Sequence, residues 1–334
     1  MQNNIDCSLK GKRILFFPTY TYGYENHIKE AMEELGAKVD VFDERPDETF
    51  LTRALIRINR NLMARKINRY HESILEKTKD NEYDFVFFIR CEAFGKSTIN
   101  KIKILHPESK LIIYFWDSFK YNKNSIRVKD LADKVFTFDR EDSIKYNIPH
   151  LSLFYIDKYS AIPLVDKFTY KTLFIGSLYS DRYPVIRKIE ALMPSQTKKF
   201  SYFYVPSKIL FWKMKLTDKD VRPVKYINVK FKALKLDEIL KLFEESEIII
   251  DVQGPLQSGL TMRTVETIGA RRKLITTNAD IRNYDFYDDN NILIVDRNNV
   301  VIPDSFINTP FKPLPDEIYD KYSLSSWLKT IFAD

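Results

Sequence analysis

Asp251-Val-Gln-Gly-Pro-Leu-Gln-Ser-Gly-Leu-Thr-Met-Arg-Thr-Val-Glu-Thr-Ile-Gly-Ala-Arg-Arg-Lys-Leu-Ile-Thr-Thr-Asn278 reads as a strand end, a glycine-bearing loop, a helix and a second strand. The run leading into it, Glu247-Ile-Ile-Ile-Asp-Val252, is apolar in the manner of a parallel strand covered on both faces. Gly254, Pro255 and Gly259 allow the loop to turn sharply and to approach a ligand closely. From Thr261, whose hydroxyl suits an N-cap, a helix sets Met262, Val265 and Ile268 on one inward stripe and ends near Gly269-Ala270. Lys273-Leu-Ile-Thr-Thr277 is the next strand. Strand, glycine loop and helix N-terminus together offer exposed N–H groups and a helix dipole to a phosphate. Arg263 adds a fork-shaped cation in the first turn, and Glu266 one turn later can accept hydrogen bonds from a ribose.

With those residues in place, the stretch resembles the C-terminal half of the GT-B glycosyltransferases, especially the CgeB-like and group 1 transferases of bacterial surface polysaccharide synthesis. In those families a loop and helix with a Gly-x-x-x-Arg-x-x-Glu-like run bind the nucleotide-sugar donor. The matching residues here are Gly259, Arg263 and Glu266, with Thr261 and Thr264 in the same turn. Tyr287-Asp-Asp-Asn-Asn-Ile-Leu-Ile-Val-Asp296 resembles a further segment of the family. As a pattern the resemblance covers most of the chain; as a motif it is confined to the region around Asp251–Asp296. Retaining members often carry an acidic residue eight positions before the ribose-binding Glu, and Ser258 stands there instead. The resemblance implies an α/β, GT-B-like fold of two Rossmann-like domains facing an interdomain cleft. The nucleotide sugar would sit on the C-terminal domain, and the glycan or lipid-linked acceptor on the N-terminal one.

Bulk properties agree with a large globular chain. Its 334 residues are 44% hydrophobic, enough for one large domain or two medium ones without staples. Cys7 and Cys91 are too few and too far apart for a disulfide framework or a zinc site, as expected in a reducing cytosol. No apolar run reaches membrane-spanning length and Met1–Cys7 lacks a signal pattern, so a cytoplasmic protein is expected. The net charge of +7 favours anionic partners. An AT-rich genome would enrich Lys, Asn, Ile and Tyr in the same way.

The first half alternates strands and helices. Arg13-Ile-Leu-Phe-Phe17 is a strand, Glu25–Leu35 a helix closed by Gly36, and Lys38-Val-Asp-Val-Phe42 the second strand. The intervening loop lacks Gly-x-Gly-x-x-Gly, which disfavours a dinucleotide at this end. In the family comparison it faces the acceptor, where Tyr20, Tyr22 and Tyr24 would stack on sugar rings; as a plain surface loop its tyrosines would be incidental. Residues 49–79 predict a long basic helix, with Arg53, Arg57, Arg60, Arg65, Lys66 and Arg69 among aliphatic residues. It reads either as an amphipathic face for an anionic membrane or as a solvated face over the core. Tyr83–Arg90, Lys110–Trp116, Lys134–Phe138 and His150–Tyr155 are further strands. Arg90, Glu92 and Asp117 fall at strand ends, where open α/β sheets place functional groups. Asp117 is the candidate base, desolvated by Trp116 and Phe119, with Glu25 and His27 as rivals; pairing with Arg90 or capping a helix is its alternative role.

The expected boundaries are an acceptor-side domain over 1–157, a linker at 158–167, a donor domain over 168–320 and a closing helix over 321–334. The donor domain opens with a strand through Gly176 and Ser177, then a helix near Pro184. Ser177 would bond a phosphate oxygen and Arg182 would neutralise the diphosphate leaving group. Residues 200–222 interleave aromatic and basic side chains. That pattern suits nucleic acid in principle, but no nucleic-acid motif supports it, and a helix beside a membrane or partner is the simpler reading. His27, His71, His106 and His150 have no metal-ligand spacing, there is no Walker loop or nucleophile elbow, and no clear Asp-x-Asp supports a metal-dependent transferase. No metal or other cofactor is expected. Together with these absences, the family resemblance implies a metal-independent glycosyltransferase. A non-catalytic nucleotide-sugar-binding or scaffold protein of the same fold is the alternative.

Overall fold

Residues 9–20, 23–47, 49, 52, 60–123, 125–254 and 257–333 are described by a computed structural model. They form two compact units: one runs up to Ser152 and regains the chain from Leu324, and the other is Leu153–Ser323.

In the first unit β1 (Arg13–Phe17), α1 (Tyr24–Glu34), β2 (Lys38–Val41), α2 (Ala64–Thr78), β3 (Phe85–Ile89), α3 (Lys96–Leu105), β4 (Lys110–Phe115), β5 (Lys134–Thr137) and α4 (Arg140–Tyr146) follow in order. The sheet is ordered β2-β1-β3-β4-β5 and every pairing is parallel. Register follows the aromatic pattern. Phe16 sits opposite Phe87 and Phe17 opposite Phe88, with stacked rings 5.3 and 4.7 Å apart. Such cross-strand pairs hold register because a one-residue slip would send each ring to the other face.

Two expectations change here. Much of the basic helix foreseen over 49–79, including Arg53 and Arg57, lies outside the described residues. Its described part is a 3-10 turn at Arg60–Met63 and then α2, which turns Ile67, His71 and Ile74 inward and leaves Arg65, Lys66 and Arg69 in solvent. Lys66 is paired with Asp47. His150–Tyr155 is not a strand: it makes single bridges at His150 and Tyr155 only. Leu153, Phe154 and Tyr155 are apolar because they are buried, not because a ladder pairs them.

The second unit contains α5 (Asp157–Ser160), β6 (Tyr170–Ser177), α6 (Arg182–Leu192), β7 (Lys199–Tyr204), α7 (Lys208–Thr217), β8 (Val229–Lys230), α8 (Leu236–Glu244), β9 (Ser246–Asp251), α9 (Met262–Gly269), β10 (Lys273–Thr276), β11 (Ile292–Ile294), α10 (Asp304–Asn308) and α11 (Asp316–Lys321). Its parallel sheet is ordered β11-β10-β9-β6-β7-β8. Residues 158–167, read as a linker, belong to this unit, where Tyr159 and Ile162 are buried. Gly269 is required by packing: a Cβ there would lie 2.6 Å from Tyr155 Cγ. The run Arg271-Arg272-Lys273 is also structural. Arg272 donates to the carbonyls of Phe243 and Glu244 at the α8 C-terminus, where a cation offsets the helix dipole. Lys273 donates to Phe306 and Thr309, and burial lowers its pKa to about 8.

The closing helix α12 (Leu324–Phe332) packs in the first unit. Trp327 lies against Phe87 and Tyr114, and Phe332 against Phe85.

Candidate functional site

Each sheet reverses its strand order once, between β1 and β3 in the first unit and between β6 and β9 in the second. At such a point the loops leaving neighbouring strands diverge and open a crevice at the carboxyl ends, the usual ligand position of open α/β sheets.

In the second unit the crevice is bordered by the loops after β6 and β9. Arg182 spans it: its Nε donates to the Val252 carbonyl at 2.7 Å and its Nη1 to the Ser177 carbonyl at 3.1 Å. The guanidinium lies 4.1 Å above the Tyr179 ring. Gly176 leaves space for it, since a Cβ would meet Arg182 Nη1 at 3.4 Å and Phe174 Cζ at 2.9 Å. A second cation, Arg297, was not among the sequence candidates. It pairs with Asp181 at 2.6 Å and donates to the Gln253 carbonyl at 2.6 Å and to Thr277 Oγ1 at 3.1 Å, joining the loops after β6, β9, β10 and β11. Its position just beyond β11 was the available signal.

The N-terminus of α9 is built as the sequence indicated. Thr261 is the N-cap and accepts from the Thr264 N–H at 3.2 Å. Both threonine hydroxyls donate to Asp251 Oδ2, at 2.5 and 2.9 Å, fixing the helix start to the end of β9. Asn278 donates to the carbonyls of Ser258 and Gly259, which holds the glycine loop against β10. Arg263 and Glu266 occupy another side of the helix. They form an i,i+3 ion pair at 2.6 Å, with the Arg263 guanidinium 5.0 Å from the Phe243 ring. Tyr159 hydrogen-bonds the pair, and burial, reinforced by Glu266, raises its pKa well above the usual value. The two residues expected to grip a nucleotide thus grip each other.

In the first unit Arg90 plays the bridging part. It donates to Thr19 Oγ1 at 3.3 Å across the β1–β3 switch, and pairs with Glu92 at 3.0 Å and Asp117 at 2.7 Å. Arg90 and Cys91 both have positive φ, 77° and 55°, so the chain turns back directly after β3 and brings Glu92 beneath Arg90. Glu44, missed in the sequence although it follows β2, anchors that turn. Its Oε2 accepts from the N–H groups of Glu92 and Ala93 at 2.8 and 3.4 Å. Glu44 is fully buried; desolvation outweighs the attraction of Arg90 and raises its pKa to about 7. Asp117, by contrast, has 38% of its side chain exposed, so the desolvation foreseen from Trp116 and Phe119 is replaced by the ion pair with Arg90.

The remaining acceptor-side candidates divide. Tyr20 is exposed, Tyr22 lies outside the described residues, and Tyr24 is buried with its ring 6.2 Å from Trp116. Glu25 is buried in the first turn of α1, while His27 is 3.4 Å from Glu30 on the same helix. Tyr24 and Trp116 bring the start of α1 beside the β4 end that bears Asp117. Among the described residues no three His, Cys, Asp or Glu side chains form a metal-ligand set, and no helix is long and apolar enough to cross a membrane.

No protein-family model matches the chain, and no curated protein matches it in sequence. Solved structures do match in fold. A glycosyltransferase from Rickettsia africae ESF-5 is 14% identical over 96% of each chain, with a TM-score of 0.55. The N-terminal domain of trehalose-6-phosphate phosphatase from Candida albicans is 11% identical, covering 96% of this chain and 95% of its own, with a TM-score of 0.62. HepE of Anabaena, in complex with UDP and glucose, is 12% identical over 96% and 93%, with a TM-score of 0.51. Identity this low establishes likeness of architecture: two parallel-sheet, Rossmann-like units in a GT-B fold.

Proposed function

We propose that the chain is a metal-independent glycosyltransferase, moving a sugar from a nucleoside-diphosphate sugar to a hydroxyl of a glycan or lipid-linked acceptor in bacterial surface polysaccharide synthesis. The cytoplasm supplies the donor, with the inner face of the cell membrane as the place of a lipid-linked acceptor. The observation that carries this reading is the second unit's switch point, where the capped N-terminus of α9 and the bridging Arg182 lie at adjoining loop ends. The Rickettsia protein is described as a glycosyltransferase and the Anabaena protein holds UDP and glucose, which supports the same assignment.

In this scheme the N–H groups of α9, with Thr261, Thr264 and the backbone at Gly259, receive the diphosphate, and Gly176 and Ser177 border it from β6. Arg182 offsets the charge that develops on the leaving group, as electrostatic catalysis requires. Glu266 accepts the ribose hydroxyls once nucleotide has competed with Arg263 for its carboxylate. Asp117, ion-paired with Arg90, takes the acceptor proton; the acceptor oxygen bonds to the anomeric carbon as the bond to the diphosphate breaks. Glu25 and His27 are the rival bases. Tyr20, Tyr22 and Tyr24, with Arg90 and Glu92, form the acceptor side, although the burial of Tyr24 limits it to a supporting part. The closed Arg90–Asp117 pair favours one other reading, a nucleotide-sugar-binding protein without transfer.

The test is thermal stabilisation by UDP, GDP, CMP and dTDP, with and without EDTA, since a ligand of the folded state raises the melting temperature by mass action. A shift with one nucleotide, unaffected by EDTA and lost in Arg182→Ala and Glu266→Ala, supports the donor site. A shift that these variants leave intact refutes it, and donor binding without transfer by either Asp117→Asn or the unaltered chain favours the non-catalytic reading.

A further inference from the structure

Helix α7, Lys208–Thr217, is apolar on two faces. Phe211 is buried in the second unit's core, with Leu210 and Met214 packed beside it. Ile209, Trp212 and Leu216 point the other way and are 84, 55 and 79% exposed. At 3.6 residues per turn these three lie within about 60° of one another, a stripe rather than a scatter. The following 3-10 turn extends it: Ile227 is 75% exposed, and the exposed Tyr226 ring stacks with Trp212 at 6.4 Å. Isolated exposed aliphatics are ordinary on a surface; a contiguous patch around a Trp calls for an occupant.

The charge around the patch says which. Residues 206–232 hold Lys208, Lys213, Lys215, Lys219, Arg222, Lys225, Lys230 and Lys232 against Asp218 and Asp220 alone. That net of six positive charges compares with +7 for the whole chain, so the remainder is almost neutral. The distribution is local, unlike a uniform compositional bias. Lys208 and Lys213 flank the stripe on opposite sides and are exposed, as are Lys219, Arg222 and Lys225, whereas both aspartates are half-buried. An apolar stripe with an aromatic ring at its centre and cations along its borders matches an anionic bilayer surface: side chains enter the acyl boundary and lysines meet the headgroups.

We propose that the face formed by α7 and the turn at Tyr226–Asn228 docks on an anionic lipid surface. This inference does not rest on sugar transfer, because vesicle binding is read without nucleotide or acceptor. Flotation with phosphatidylcholine vesicles, with and without phosphatidylglycerol, tests it directly. The protein is expected to float with the anionic vesicles only, to detach as salt rises, and to show a blue shift of tryptophan emission that Trp212→Phe removes. Lys208→Ala with Lys213→Ala should weaken partition roughly thirtyfold, at about fivefold per cation. Lys101→Ala with Lys120→Ala, which removes the same charge from the other unit, should leave it unchanged. Ile209→Ser with Leu216→Ser should abolish binding while circular dichroism and melting temperature stay at parental values. Failure to bind anionic vesicles, equal weakening by the two lysine pairs, or self-association in ultracentrifugation that Ile209→Ser with Leu216→Ser abolishes would each overturn the proposal.

Discussion

Replacing Glu44 by Gln isolates the buried carboxyl that anchors the turn at Arg90–Ala93. Burial raises its pKa from 4.5 to about 7, against the opposing pull of Arg90. A carboxyl shifted upward stabilises the fold as the neutral acid. That contribution is fully present below about pH 4.5 and is lost as pH rises through about 7, because across that window the native state binds more protons than the unfolded one. At 1.36 kcal/mol per unit, the native state should lose about 2.5 kcal/mol from this group between about pH 5 and about pH 8.5. Gln keeps a carbonyl oxygen for the Glu92 and Ala93 N–H groups and carries no charge at either pH. Urea unfolding of both proteins at the two pH values therefore measures the effect as a difference of differences. Glu44→Gln should gain on the unaltered chain by about 2–3 kcal/mol at the higher pH relative to the lower. A gap between the two proteins that stays constant with pH, within about 0.5 kcal/mol, would refute the assignment of a protonated, desolvated carboxyl.

Other substitutions probe the second unit and the returning helix. Gly176→Ala places a Cβ 2.9 Å from Phe174 Cζ and 3.4 Å from Arg182 Nη1. It should cost about 1–3 kcal/mol in chemical denaturation, and an unchanged midpoint would count against a close fit there. Thr264→Val removes one of the two hydroxyl donors to the buried Asp251 and should cost about 1–3 kcal/mol in chemical denaturation, and an unchanged midpoint would mean that this hydrogen bond contributes nothing to the fold. Trp327→Ala empties the space between Phe87 and Tyr114 and should destabilise by about 3–5 kcal/mol in thermal melts; a loss under 1 kcal/mol would mean that α12 contributes little to the first unit's core.

Strand positions were readable from the residues alone because parallel strands covered on both faces must be continuously apolar. Arg13–Phe17 emerges with the bounds read from sequence, and most other elements within a residue or two. His150–Tyr155 shows where that logic fails: burial and strand pairing leave the same apolar signature, and only the neighbouring chain decides between them. β8, two residues long, carries too little pattern to be seen. At the candidate site, local chemistry predicted the Thr261 cap and the helix behind it, since capping depends on residues within one turn.

What a side chain points at is a different kind of information. The sequence by itself determined the alternating strands and helices and the threonine-capped helix start after β9, because periodicity, turns and caps are local properties. Tertiary structure alone decided that Arg182 bridges two strand ends, that Arg263 and Glu266 close on each other, and that Glu44 lies under a turn nearly fifty residues away in sequence. Those partners come from strand order, and strand order sets which distant loops meet and which charges lose their water.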